Sequence, residues 1–439
     1  MAVAQTEQKQ SNLKRGLTLV TLFTLLTGAM VGMAWAVLAN VILDRSGPAG
    51  MISLIIAAGF TLCVGLCFAE LCSMMPVAGG AYIYVKRAMS KFGGFTAGWL
   101  LVLAYAAMMP GECIIIGKLV AGIIPGAPVA WVGVAAAIIF TVINLVGITF
   151  SAIVQLILTV ILFAGMFIYA IPGFFQIDVA NLMPFFGRGV AGMFLMVPIY
   201  FLAFMGYDIL PQAAEEVKSP VRKMVFVIPL SILFVLLAYF AVAITNAGVL
   251  PWETIAKSTD PVPIMPIATK VLGPSGPAII IIAGICGLIT TLNGFVVGAS
   301  RLMMAMAKDN ELPGFFATVN RRFGVPHWSI IFIGLLGIIG SFVPQLIVLF
   351  DVAASAVLVT YALTAIAVIM LRKKAPNEER PYKVPGGNTI PILALIGVVP
   401  TFLVSLGILY MTDINEIIVF AAWFVIGVIY YLLYRRKMA

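Results

Sequence analysis

Two carboxylates stand inside long apolar stretches of this chain, Glu112 in MMPGECIIIGKLVAG (residues 108–122) and Asp208 in FLAFMGYDILPQ (201–212). An acid among hydrocarbon-like residues is costly and is usually kept for a cation, a proton or a substrate. Both have helix-breaking neighbours: Pro110 and Gly111 precede Glu112, and Gly206 and Pro211 flank Asp208. A third stretch, TLLTGAMVGMAWAVL (24–38), carries Gly28 and Gly32 near its middle. A broken helix exposes N–H groups at the start of one half and carbonyls at the end of the other, and these grip a carboxylate and a cation respectively. Gly206 lets the backbone leave the helix, Tyr207 supplies an aromatic wall or lid, and Asp208 sits where a proton or cationic group is held. Glu112, turned into a cavity by the kink before it, would bind an ammonium group. Its alternative is a hydrogen bond or ion pair to a neighbouring helix, Lys118 included, although six residues of separation put the two on different helix faces. For Gly28 and Gly32 the alternative is a small-residue packing surface.

The elements that must position these residues are membrane helices. The 439 residues are 62% hydrophobic and 10% charged, with a mean hydropathy of +1.13. No soluble core hides that much apolar surface. The apolar residues fall in twelve blocks of spanning length: 17–43, 50–73, 93–124, 128–147, 151–175, 190–213, 224–247, 276–306, 327–345, 348–371, 389–411 and 414–434. The first block is too long for a cleaved signal peptide and lacks its small-residue cleavage site. The interrupted blocks are the first and the sixth, so each opens a group of five. Interrupted helices at matching positions mark inverted-repeat transporters, which bind substrate near the midplane between the halves. The repeat rests on position alone, because the halves share no clear residue-level likeness.

Lys and Arg set the orientation. Twenty-one of the 26 lie in the tails and alternate loops, among them Lys9, Lys14, Arg15, Lys86, Arg87, Lys218, Arg222, Arg301, Arg372, Lys374 and Arg435. The opposite side holds Arg45, Arg188, Lys257 and Lys270, and Lys118 falls within a span. Both termini are therefore expected in the cytoplasm, in a multi-pass protein of the cytoplasmic membrane. This bias accounts for the net charge of +9 without nucleic acid as a partner. Cys63, Cys67, Cys72, Cys113 and Cys286 all lie within spans, where they read as small buried hydrophobes, not disulfides. His327 is the only histidine, so no His-rich metal site or cofactor is expected. No nucleophile–base pair stands out, and neither a P-loop nor the repeated filter or charge ring of a channel is present. A membrane enzyme or a channel is thus the weaker class of reading beside a secondary transporter.

Four long motifs now bear on family. FMGYDILPQAAEEVKSPVRKM (204–224) resembles the sixth span and following loop of the amino acid–polyamine–organocation superfamily. ELCSMMPVAGGAYIYVKRAMSKFGGFTAGW (70–99) resembles its second-span signature. ASRLMMAMAKDNELPGFFATVNRRFGVPHWS (299–329) and ERPYKVPGG (379–387) resemble its loops after span 8 and before span 11. The likeness runs in order over nearly the whole chain. It implies an all-α, leucine-transporter-type fold: a 5+5 inverted repeat with discontinuous helices 1 and 6, plus two C-terminal helices. It also implies alternating-access transport of amino acids or amines. The chain then divides into a cytoplasmic tail (1–16), a first repeat (17–175), a second repeat (190–371), helices 11 and 12 (389–434) and a second tail (435–439).

Carried over by motif, Gly28, Ala29, Met30, Val31 and Gly32 match the family's unwound stretch, whose amides hold a substrate carboxylate. Phe204, Met205, Gly206, Tyr207 and Asp208 match its aromatic–glycine–aromatic–acid pattern. Thr290, Thr291 and Asn293 match polar residues near a sodium-like position, although membrane threonines also bond back to their own helix. Trp35 either narrows the pocket and stacks on a cation or is a packed aromatic. Several family members carry a Lys in span 5; Leu162 occupies that place here, which argues against coupling through such a Lys. The expected site is thus residues 28–32, Trp35, Met108, Glu112 and 204–207 for substrate, with Asp208, Thr290, Thr291 and Asn293 for coupling or gating. The coupling ion is H+ or Na+, unless transport is plain exchange. Glu112 favours a cationic amino acid, polyamine or small amine. Met30, Met33, Met108 and Met205 offer an adaptable apolar wall and keep a neutral amino acid in play. Glu70 and Arg301 read as gate or scaffold ion pairs with loop charges, Glu215 and Glu216 as loop scaffold, and Asp351 as an outer-gate residue or a solvated cap.

Overall fold

A computed structural model describes residues 15–124, 126–342, 346–412 and 414–438. Lys9 and Lys14 lie outside them, as does the end of the ninth predicted block at 343–345. Among the described residues the fold is all helix, with one isolated parallel β-bridge between Leu17 and Val217. In chain order the helices are α1 Leu19–Met30, α2 Ala34–Val37, α3 Ala39–Ser46, α4 Gly50–Met74, α5 Ala81–Ala88, α6 Lys91–Ile123, α7 Val129–Leu145 and α8 Ile148–Phe174. There follow α9 Gly189–Leu195, α10 Val197–Ala203, α11 Ile209–Ala213, α12 Val221–Val225, α13 Val227–Gly248, α14 Trp252–Ala256, α15 Met265–Leu272 and α16 Gly276–Lys308. The last four are α17 His327–Gly340, α18 Leu346–Lys374, α19 Thr389–Thr412 and α20 Ile414–Met438. Among the described residues nine helical stretches are long and apolar enough to cross a membrane, and three shorter apolar ones fall at Val129–Leu145, Gly189–Ala203 and His327–Gly340. Each predicted apolar block is therefore helical over most of its described residues.

Local rules explain the ends. Thr18 and Thr21 form a capping box that starts α1 two residues into the predicted block. Ser90 caps α6 by accepting from the Gly93 amide. Pro110 lies inside α6 without ending it, and its ring packs where Gly340 leaves no side chain. The structure adds α5, α14 and α15 in connections that hydropathy leaves blank. The α20 helix also continues past 434 to Met438, over part of the stretch expected as a tail.

The two interruptions are real breaks. α1 stops at Met30 and the chain resumes helix at Ala34, while α10 stops at Ala203 and α11 begins at Ile209. Gly206 has φ +138°, a conformation that side chains disfavour. A Cβ there would lie 2.9 Å from the Met30 amide nitrogen, so the two breaks touch backbone to backbone. α16 backs both: a Cβ on Gly287 would lie 2.5 Å from the Gly32 carbonyl oxygen, and one on Gly294 2.5 Å from the Ala29 side chain. Around this centre α6 packs on α18, α7 and α16, and α16 packs on α8 and α1.

Candidate functional site

The break in the first element falls at residues 31–33, later than the two glycines imply. Gly28, Ala29 and Met30 stay helical. Gly28 serves close packing instead: a Cβ there would come within 2.5 Å of both the Gln155 amide nitrogen and the Thr159 hydroxyl. Past the break, the N–H groups of Gly32, Met33, Ala34 and Trp35 take part in no hydrogen bond among those of the described residues. They are the uncapped start of α2.

A cavity of about 160 Å³ lies over these amides. At roughly 15 Å³ per enclosed water-sized group it has room for about ten, the size of an ordinary amino acid. Of the sequence-predicted site residues, Ala29, Met30, Gly32, Trp35, Met108, Glu112, Met205 and Thr291 line it. The remaining wall includes Tyr239, Asn246 and Phe295. Glu112 is 4% exposed. Its Oε1 abuts the Gly32 Cα, where a Cβ would sit 2.8 Å away, and its Oε2 has no hydrogen-bond partner. Lys118 is exposed, so it does not neutralise Glu112. Trp35 is buried, its backbone carbonyl accepts from Asn246, and its Nε1 has no partner. The cavity thus combines free amide donors, an uncompensated carboxylate and an apolar wall.

The other predicted residues stand behind this wall. Val31, Phe204, Gly206, Tyr207, Asp208, Thr290 and Asn293 are buried and do not line the cavity. Asp208 accepts a hydrogen bond of 2.8 Å from the Tyr105 hydroxyl and one of 3.1 Å from the Gly206 amide. Tyr207 and Tyr361 pack beside it, with Phe68 edge-on to both. The Thr290 hydroxyl donates to the Gly287 carbonyl, within its own helix, and Thr291 donates across to the Gly28 carbonyl at 3.2 Å. Asn293 donates to Gln155 Oε1 at 2.9 Å and accepts from Ser151 at 2.6 Å.

Gln155 is the residue sequence reasoning passed over. Its amide nitrogen donates to the carbonyls of Thr24 at 3.3 Å and Thr290 at 3.2 Å, and Thr159 also donates to Thr24. Ser151, Gln155 and Thr159 recur every four residues in an otherwise apolar span, a polar stripe that was available as a signal. This stripe, not the Leu162 level, carries the polar contacts of α8 with α1 and α16.

The cavity runs towards Arg45, Pro48 and Asp351 at one end of the helices. The opposite end is sealed. There Arg301 and Glu216, 1% and 0% exposed, form an ion pair at 2.8 Å. The Glu216 carbonyl accepts from the Gly16 and Leu17 amides, and Lys218 N donates back to Leu17. Glu70 pairs with Arg372 and Arg380 and accepts from the Val384 amide. Glu215 accepts from the Ala78 amide. These acids join the charged loops much as their positions suggest.

Known proteins were compared with this chain. The family model described as amino acid permease matches residues 17–430. The branched-chain amino acid permease BcaP of Bacillus subtilis (strain 168) is 30% identical, the alignment covering 98% of this chain and 94% of that protein. The methylthioribose transporter of the same organism is 28% identical over 98% of this chain and 95% of its own length. The mitochondrial cationic amino acid transporter 3 of Arabidopsis thaliana is 28% identical over 86% of this chain and 66% of its own.

Proposed function

Because this chain belongs to the amino acid permease family, and is a multi-pass secondary transporter of amino acids or related amines, not an enzyme, we propose that its central cavity selects a substrate of net positive charge. One observation carries this reading: the Glu112 carboxylate lines the cavity with Oε2 unpartnered. A buried charge without a counter-charge is expensive. A substrate ammonium against Glu112 supplies it, while a substrate carboxylate takes the free amides that begin α2. Cationic amino acids fit both ends, and small amines fit the Glu112 end. The relatives named for cationic amino acids support the same class.

The protein has twelve spans in a 5+5 inverted repeat, residues 17–175 and 190–371, with helices 11 and 12 following at 389–434. Both termini are cytoplasmic, because the Lys- and Arg-rich loops mark that side. The cavity, extending towards Arg45 and Asp351, is then open outward and latched inward, one end state of alternating access. Coupling is by protons through Asp208, which Tyr105 and the Gly206 amide hold between the two breaks. Sodium is less favoured, because the Thr291 hydroxyl already occupies the Gly28 carbonyl in the last turn of α1.

A second reading is a neutral amino acid permease, favoured by Met30, Met108 and Met205 in the wall and by the branched-chain permease among the relatives. The discriminating experiment is a thermal-shift panel on purified protein, since a ligand that binds the folded state raises the melting temperature. The ligands are arginine, lysine, polyamines, ethanolamine, leucine, valine, glutamate and methylthioribose. Stabilisation by the cationic members alone supports the proposal. Stabilisation by leucine or valine with none from cations overturns it in favour of the neutral permease.

A further inference from the structure

A second cavity, of about 240 Å³, lies between α4, α10 and α19. Its wall includes Phe60 of α4, Val197 and Pro198 of α10, and Gly397, Thr401 and Val404 of α19. Among the described residues Thr401 is the one polar side chain in the wall, and its hydroxyl donates to the Gly397 carbonyl at 2.6 Å. Nothing is left there to bind a polar ligand. The cavity adjoins the apolar outer surface of the helices, where Phe194 and Ile396 of its rim are 52% and 55% exposed and Leu403 is 61% exposed. That surface faces bilayer hydrocarbon in a multi-pass membrane protein. The cavity is therefore a recess in the lipid-facing belt, and what bathes its rim is acyl chain.

Two of its walls are thin. Pro198 lines both this recess and the central cavity, and Ile199 and Leu202 of the same short helix face the central cavity. On α19, Ser405 lines the central cavity while Val404 lines the recess. α10 is thus a partition one helix thick, and it ends at the break that begins with Phe204.

We propose that the recess holds one acyl chain of a bilayer lipid, and that this chain braces α10 from behind so that its presence sets substrate affinity in the central cavity. An apolar void without its lipid forfeits dispersion contacts on one side, so filling it with chain or side chain favours the same position of α10.

The test reconstitutes the full chain in nanodiscs with phosphatidylcholine carrying a mid-chain diazirine. After irradiation, labelled peptides are mapped by mass spectrometry. The proposal expects labels on Phe60 and Val404 inside the recess, as well as on belt residues such as Ile157 and Val160 of α8. Thr401→Trp and Val404→Phe fill the recess. Each is expected to remove the Phe60 label and leave the α8 labels intact. Substrate affinity in the filled variants is expected to stay the same in phosphatidylcholine and in short-chain detergent, whereas the unaltered protein loses affinity in detergent. Labels confined to the belt, or a Phe60 label that persists in both variants, overturn the site. A detergent loss shared equally by the variants overturns the brace. The label readout needs no substrate, so it stands apart from the assignment of substrate class.

Discussion

Replacing Glu112 by Gln isolates the charge at the cavity centre, because the side chain keeps its shape and hydrogen-bonding reach. The carboxylate has no cationic neighbour among the described residues and one oxygen without a partner. Any cation that binds beside it gains a charge-assisted contact in a water-poor site. Losing the charged partner of such a pair costs about 2–4 kcal/mol, which corresponds to ~30- to ~1,000-fold weaker binding. The ligand-free protein is expected to respond in the opposite direction. With no counter-charge to lose, the ligand-free Glu112→Gln protein is expected to melt at an equal or higher temperature. The assay is a melting curve with and without saturating cationic ligand, paired with binding isotherms. A higher ligand-free melting point together with a vanished ligand-induced shift is the expected pattern. Unchanged affinity for a cationic ligand that binds the unaltered protein refutes the reasoning, and a collapsed ligand-free melting point shows that Glu112 is scaffold.

Other predictions follow from the packing. Gly287→Ala pushes a methyl to within 2.5 Å of the Gly32 carbonyl oxygen; this overpacking is expected to cost about 1–3 kcal/mol and to weaken substrate binding, read by melting and titration, and wild-type values in both would show that the break yields freely. Arg301→Met leaves Glu216 buried and unpaired, for an expected loss of about 3–5 kcal/mol, with Arg301→Met/Glu216→Gln recovering part of it in a denaturation or melting series. Asp208→Asn is expected to flatten the pH dependence of uptake into proteoliposomes, while Tyr105→Phe shifts the profile without flattening it; identical profiles in all three proteins would remove Asp208 from coupling.

Much of this architecture is legible in the sequence, because hydropathy reports membrane solvent directly. The blocks bounded at 276–306 and 389–411 match α16 and α19 within a few residues. Gly206 was readable because a backbone leaving a helix needs φ above zero, which side chains resist. Gly28 was misleading for a related reason. A small residue in a membrane helix serves a close neighbour as readily as a break, and only Gln155 and Thr159 packed against it decide between the two. Glu112 was legible as an acid out of place, and its position in the cavity follows from the packing of α6. Asp208 and Asn293 show the limit of carrying motifs to contacts: both are polar and central, yet Tyr105 and Gln155 from distant spans hold them behind the wall. Gln155 itself was missed because it carries no charge to single it out, as Glu112 and Asp208 do.

The strand-like pairing of residues 16–18 with residues 216–218 ties the beginning of the first broken element to the segment just after the second. Three backbone hydrogen bonds and the neighbouring Glu216–Arg301 pair lie together at that end. Contacts grouped in this way are expected to part cooperatively, which in an alternating-access transporter would make opening at that end an infrequent event. Shortening the chain to begin at Thr18 unfastens the pairing, and the truncated protein should exchange substrate faster while melting earlier.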